Sequence, residues 1–278
     1  MSSEQNLVNT TKTYYDSTDA DEFYHTIWGG EDIHVGIYEI KDESIFQASK
    51  RTIQTMVSQL PPITRETKIL DLGAGYGGAA RYLASKFGCQ VHCLNLSDAE
   101  NQRNEEKNQK VRLSDLITVT GGNFEEPPYE ADSFDIVWSE DAFLHSDNKA
   151  RIFEQIKRLL RPGGQLIFTD PMQADDCPAD VLEPILQRIH LKEMGSVKRY
   201  RELAQANGLR EVEILEMPDQ LTNHYSAVLK ELNRKEDELR KVVSAAYIEN
   251  MKRGLKHWIE GGKKGYLNWG ILQFENPA

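Results

Sequence analysis

Two hydrophobic periods alternate along the middle of the chain. Between about residues 44 and 170, apolar runs of strand length recur at KILDL (68–72), QVHCLNL (90–96), LITVT (116–120), FDIVW (134–138) and QLIFTD (165–170). Segments with apolar residues at helical spacing lie between them. Ser44 stands where a helix cap belongs, ahead of Ile45, Phe46, Ile53, Met56, Val57 and Leu60 on one face, and Pro61 and Pro62 end that helix. Further helices are predicted over 78–87, 98–111 and 149–160, the last closed by Pro162, Gly163 and Gly164. Short apolar strands alternating with helices imply an α/β protein with a doubly wound, mostly parallel sheet covered on both faces.

The flanking zones have another texture. Residues 1–43 are polar yet carry Tyr14, Tyr15, Phe23, Tyr24, Trp28 and Tyr38, too many rings for a disordered tail, so this zone is expected to pack on the rest. Beyond the fifth strand, helical pattern covers 179–195 and 197–207, and EVEILEM (211–217) reads as a strand. A long amphipathic stretch then sets Val228, Leu232, Leu239, Val243, Tyr247, Met251, Leu255 and Trp258 at steps mostly of four. Its charge run KELNRKEDELRK (230–241) reads as a solvated helix face, and the stretch offers a surface for a homodimer. LNWGILQF (267–274) supplies a last strand.

Composition narrows the function classes. The 278 residues suffice for one large domain, and 33 basic against 44 acidic side chains leave a net charge of −11. That balance argues against nucleic acid or an anionic membrane as partner. Three cysteines (Cys89, Cys93, Cys177) do not describe a disulfide framework, no apolar run is long enough for a membrane span, and the N-terminus lacks the basic and apolar regions of a signal peptide. A cytoplasmic location is expected. Cys89, His92 and Cys93 fall on an alternating strand with no fourth ligand apparent, so no metal site is expected.

ILDLGAGYGG (69–78) runs from a strand into a glycine-rich turn at the mouth of a helix, where backbone amides are free to meet a ligand. Gly73, Gly75 and Gly78 satisfy the dinucleotide spacing, which keeps an NAD-dependent Rossmann oxidoreductase as an alternative. Asp71, just before the turn, points elsewhere: a carboxylate there suits a ligand with a positive amino group and repels a pyrophosphate.

With these residues the chain resembles the class I S-adenosylmethionine-dependent methyltransferases, whose D-x-G-x-G turn opens the cofactor site. The resemblance implies a seven-stranded sheet and a methionine portion held at Asp71, Gly73, Ala74 and Gly75. It places the ribose at Asn95 and Leu96, where the family usually carries Asp or Glu, and the adenine at Asn123 and Phe124, with Ser139 on the cofactor side. An amide can accept from one hydroxyl and donate to another. S-adenosyl-L-homocysteine would be the product, and methyl transfer from a sulfonium needs no metal.

Two narrower resemblances concern the methyl acceptor. WSEDAFLH (138–145) is similar to the corresponding segment of phosphoethanolamine methyltransferases, which implies Tyr15 and His145 over the reacting centre with Asp141 beside them. YYDSTDADEFYHTIWGGEDIHVGIY (14–38) resembles the opening of the glycine, sarcosine and dimethylglycine N-methyltransferases that make betaine. These resemblances imply a lid over 1–43, with Ile33 and His34 closing on the cofactor, and a methyltransferase domain over 44–278. A substrate-side helical insertion at 171–265 surrounds the strand at 211–217. Sarcosine and N,N-dimethylglycine are the expected acceptors, with phosphoethanolamine as the alternative. The attacking nitrogen must be unprotonated; His145, with an ordinary pKa near neutrality, suits the role of base, and Tyr15 that of relay. Trp28 and its aromatic neighbours would cage a quaternary ammonium at about 0.5–2 kcal/mol per ring. Arg188 is the first choice for the substrate carboxylate, ahead of His190, His224 and Lys198.

Overall fold

The computed structural model describes residues 10, 12–28, 31–188, 191 and 193–278, the side chain of Arg188 excepted. The chain starts with α1 (Thr18–Ile27) and α2 (Ile45–Gln59), then alternates β1 (Lys68–Leu72), α3 (Gly78–Phe87), β2 (Gln90–Asn95), α4 (Asp98–Lys110), β3 (Ile117–Gly121) and β4 (Phe134–Glu140). A 3-10 turn (Phe143–His145) leads to α5 (Lys149–Leu159), β5 (Leu160–Thr169), the short β6 (Met172–Gln173) and α6 (Glu183–Arg188). The remainder is α7 (Val197–Ala206), β7 (Arg210–Glu216), α8 (Pro218–Leu239), α9 (Ala245–Lys263), β8 (Leu267–Asn268) and β9 (Gly270–Glu275).

Seven strands form one sheet in the order β3-β2-β1-β4-β5-β9-β7, parallel except for β9, which runs antiparallel between β5 and β7. Period-two alternation sends adjacent residues to opposite faces. Leu70, Leu72, Val137, Leu166, Phe168, Leu272 and Phe274 fill one core layer, while Ile69, Ile136, Trp138, Ile167 and Ile271 fill the other. The same alternation puts Cys89 and Cys93 in the second layer and turns His92 toward Tyr129 and Phe134. Ser44 caps α2, its Oγ accepting from the Gln47 amide at 3.2 Å, as its position in the sequence predicts.

Four elements depart from the sequence reading. The fifth strand begins at Leu160, not 165, because Phe134 pairs with Leu160 before the Pro162–Gly164 turn and Ile136 pairs with Gln165 after it. Within the helix expected over 179–195, the described residues form α6 (Glu183–Arg188), and residues 179–182 and 193–196 are not helical. The long amphipathic stretch is broken at 240–244 into α8 and α9, which a five-residue link turns back as an antiparallel hairpin. The last apolar run divides into β8, paired with β6, and β9 in the main sheet.

The hairpin does not stand apart. Phe23, Ile27 and Trp28 of the N-terminal zone bury themselves with Val228, Leu232, Met251 and Leu255 of α8 and α9 in one cluster. The two ends of the chain therefore form a single cap beside the C-terminal edge of the sheet. No helix among the described residues is long and apolar enough to cross a membrane.

Candidate active site

In the strand order the sequence reverses direction between β1 and β4, and the crevice lies at the carboxyl ends of those strands, where open α/β sheets place ligands. The turn after β1 is pinned by the Gly73 amide donating to Leu94 O at 2.8 Å. Gly73 has φ +81°, and a Cβ on it would stand 2.4 Å from that of Ala142. Only glycine lets this turn pass under the β4 end.

Beside the turn lies a cluster of buried carboxyls. Asp32, Asp71 and Glu140 are each 8% exposed or less, with His34 Nε2 at 3.3 Å from Glu140 Oε1. Burial first, then the charge of Glu140, raises Asp71 well above the usual carboxylate range, and burial pushes Glu140 up to about 7. Burial opposes charge on His34, but Glu140, Asp32 and Asp141 outweigh it and raise its pKa. Glu140 Oε1 makes no hydrogen bond among the described residues. Burial and mutual repulsion keep these carboxyls from ionising freely, so an incoming cation that lets them ionise is favoured, and the methionine end of S-adenosylmethionine, with its ammonium and sulfonium, is such a group.

The crevice continues past Gly75 to Asn95, Leu96, Gly122, Asn123 and Phe124, and is about 100 Å³ in volume. Sequence reasoning missed a further wall residue, Glu100. It enters from the first turn of α4, is 4% exposed, accepts from Asn95 Nδ2 at 2.9 Å, and is pushed up to about 7 by burial. Asn95 and Glu100 thus jointly offer what a single carboxylate at the end of β2 offers elsewhere. The spacing of five between them was the available signal.

The N-terminal zone closes this side. Lys12 Nζ donates to Leu96 O at 3.1 Å and pairs with Asp98, while Asp16 accepts from Ser97 Oγ at 2.7 Å. Those contacts set Tyr15 in the crevice wall, where its hydroxyl lies 3.0 Å from His145 Nε2. Burial, aided by Lys149, lowers the His145 pKa to about 4. This corrects the expectation of a base titrating near neutrality: His145 is a neutral hydrogen-bonding group there.

Behind the Tyr15–His145 pair opens a second cavity of about 80 Å³. Its wall is a continuous succession of rings. Tyr15 to Tyr24 is 5.7 Å between centroids, Tyr24 to Trp28 5.1 Å, Trp28 to His224 5.5 Å, His224 to Tyr225 5.7 Å and Tyr225 to Trp258 5.1 Å. Met251 and Leu255 complete it. The N-terminal half of this belt was legible in the sequence; Met251, Leu255 and Trp258 were read only as a helix face, and Tyr225 was missed.

The structure brings together Tyr15, Trp28, Ile33, Asp141 and His145 around the second cavity, and Ile33, His34, Asp71, Gly73, Ala74, Gly75, Asn95, Leu96, Asn123 and Phe124 along the crevice. Ser139 is not in either wall: it is fully buried and its Oγ donates to Leu72 O at 2.7 Å, tying β4 to β1. Asp141 is in both walls and is tied there by three donors. Its carboxylate accepts from the Val35 amide at 2.6 Å, Thr169 Oγ1 at 2.7 Å and Trp269 Nε1 at 2.8 Å, so it positions the 33–36 segment. Lys198 is exposed at the start of α7. His190 and the side chain of Arg188 lie outside the described residues.

Comparison with known proteins agrees with this geometry. Residues 70–168 match the family described as a methyltransferase domain. The chain is 50% identical over 267 residues to the sarcosine/dimethylglycine N-methyltransferase of Halorhodospira halochloris, covering 96% of each. It is 49% identical to the enzyme of the same name from Aphanothece halophytica, covering 98% of each. A solved structure from Galdieria sulphuraria, assigned as a sarcosine dimethylglycine methyltransferase, superposes with a TM-score of 0.91 at 46% identity, over 95% of this chain and 99% of that one. These relatives remove the oxidoreductase alternative, as does the antiparallel β9 inserted in the sheet. The chain belongs to the sarcosine/dimethylglycine N-methyltransferase family of S-adenosylmethionine-dependent enzymes.

Proposed function

We propose that the protein methylates sarcosine and N,N-dimethylglycine to give glycine betaine. The observation that carries this reading is the ring-lined cavity joined to the cofactor crevice at Tyr15 and His145. The relatives named for these substrates support it.

S-adenosylmethionine supplies a methyl group already activated on a sulfonium, so the chain's own task is to orient the amine, exclude water and manage one proton. Asp71, Glu140 and Asp32 hold the cationic methionine end, Asn95 and Glu100 take the ribose hydroxyls, and Asn123 and Phe124 meet the adenine. Ile33 covers the join between the two cavities, and His34 lies beside Glu140 at the methionine end. Desolvation favours the neutral amine over the ammonium in the second cavity. Tyr24, Trp28, Tyr225 and Trp258 present faces to the methylated nitrogen, and cation–π attraction increases as it becomes quaternary. Tyr15 and the neutral His145 orient the amine by hydrogen bonding, and the proton left on a methylated sarcosine nitrogen is shed to solvent; dimethylglycine has no such proton after transfer.

Incubation with S-adenosylmethionine and dimethylglycine is expected to yield betaine and S-adenosylhomocysteine in equal amounts. Turnover of phosphoethanolamine with none of dimethylglycine would overturn the assignment.

A further inference from the structure

Two residues lining the second cavity carry buried ring nitrogens with no hydrogen-bond partner among the described residues. His224, on α8, is fully buried, and its Nδ1 accepts from the Gly36 amide at 3.1 Å, with Tyr38 Oη also at 3.1 Å. An amide N–H can only donate, so Nδ1 must carry the lone pair. The ring's proton is therefore fixed on Nε2, as a donor on the edge turned away from Gly36. That Nε2 has no hydrogen-bond partner among the described residues, and neither has Nε1 of Trp28, whose residue is 4% exposed. The two rings are neighbours, 5.5 Å apart, in the wall of one cavity.

A buried donor left unpaired is costly, and two in the wall of one small cavity point to an acceptor between them. We propose that His224 Nε2–H and Trp28 Nε1–H form a neutral clamp for the carboxylate of the amino-acid substrate. This inference rests on the proposed function and names the group that recognises the acid end of its substrate.

The chemistry favours neutral donors here. The reactive acceptor has a neutral amine and a carboxylate, and so enters as an anion beside a cationic sulfonium. After transfer the ligand is a zwitterion whose own ammonium offsets its carboxylate. A guanidinium in the clamp would hold that product by a bidentate ion pair, whereas two N–H donors orient the carboxylate and release it more easily. The clamp takes over the role expected of Arg188.

The test uses Trp28→Phe, which keeps the ring and removes the N–H, and His224→Phe, with His224→Gln as the variant that restores a donor. Each is assayed with dimethylglycine and with 2-(dimethylamino)ethanol, which has the same nitrogen but no carboxylate. The intact enzyme is expected to favour dimethylglycine strongly in kcat/KM. Trp28→Phe and His224→Phe are each expected to cut that preference at least about tenfold, mainly through KM, while S-adenosylhomocysteine affinity stays the same; His224→Gln should recover part of it. Retention of the full preference in both Phe variants overturns the clamp, as does its loss in Arg188→Gln alone. If the intact enzyme ignores dimethylglycine altogether, the proposed function fails first, which separates the two failures. Should His224→Phe not bind S-adenosylhomocysteine, Trp28→Phe and His224→Gln decide the matter.

Discussion

The crevice for the cofactor and the cavity for the acceptor share Tyr15, Ile33, Asp141 and His145, yet they are built in opposite ways. The crevice is made by short segments that follow β1, β2, β3 and β4, each entering within a few residues of its strand. Its glycines and carboxylates are therefore visible as contiguous motifs. The cavity is made by the two ends of the chain meeting over the sheet: Tyr15 and His145 are 130 positions apart, and Gly36 and His224 are 188 apart. The first is lined by buried carboxyls that suit a cationic donor. The second is ringed by aromatic faces. Transfer between them requires the donor to be held by charge and the acceptor by shape and desolvation.

Breaking the crevice is expected to have the largest effect. Gly73→Val forces a β-branched residue into φ +81° and drives a side chain against Ala142. Calorimetric titration should show S-adenosylhomocysteine binding lost. Unchanged binding would mean that the turn yields freely and does not shape the site.

Variants at the join come next, and they separate the two regions. His145→Ala and Tyr15→Phe are expected to lower kcat by about 10²-fold, the scale of a lost positioning contact, with little change in cofactor affinity. The loss should be equal for sarcosine and dimethylglycine, because a neutral His145 orients the nitrogen without taking its proton. Steady-state rates with both acceptors measure this; a larger loss with sarcosine would assign the pair to proton transfer.

The smallest effect sharpens the electrostatic half of the contrast. Glu100 and Glu140 are each pushed up to about 7 by burial. A carboxyl with a pKa raised on folding contributes stability below its unfolded pKa of about 4.3, and that contribution fades as pH rises through the folded value. The protein without cofactor should thus weaken between about pH 4 and 7, and a bound cation should restore the loss. The rise in Tm given by S-adenosylmethionine is expected to grow by a few degrees across that interval, and Glu140→Gln to flatten the trend. A thermal shift independent of pH would remove these carboxyls from the binding of the cation.

Much of this was legible before any coordinates. Asp71, Gly73 and Gly75 announced a turn for a cationic donor, and the alternation of strands and helices announced the sheet. The His145 pKa was not legible, because a sequence shows a residue type but not its burial beside Lys149. Glu100 was missed for a similar reason: on α4 it looks like one more surface acid, and only the approach of β2 removes it from water. Asp141 was placed correctly beside His145, but its three donors, Val35, Thr169 and Trp269, come from distant segments that no local pattern connects.

The sequence by itself determined the parallel sheet, its two apolar layers and the glycine turn, since each depends on side-chain period or backbone freedom over a few residues. Tertiary structure alone decided the acceptor cavity. Whether a Tyr, Trp or His becomes part of a cage depends on which water it loses and which donors it keeps. Those are properties of surfaces brought together across the whole chain when α8 and α9 fold back onto the N-terminal zone.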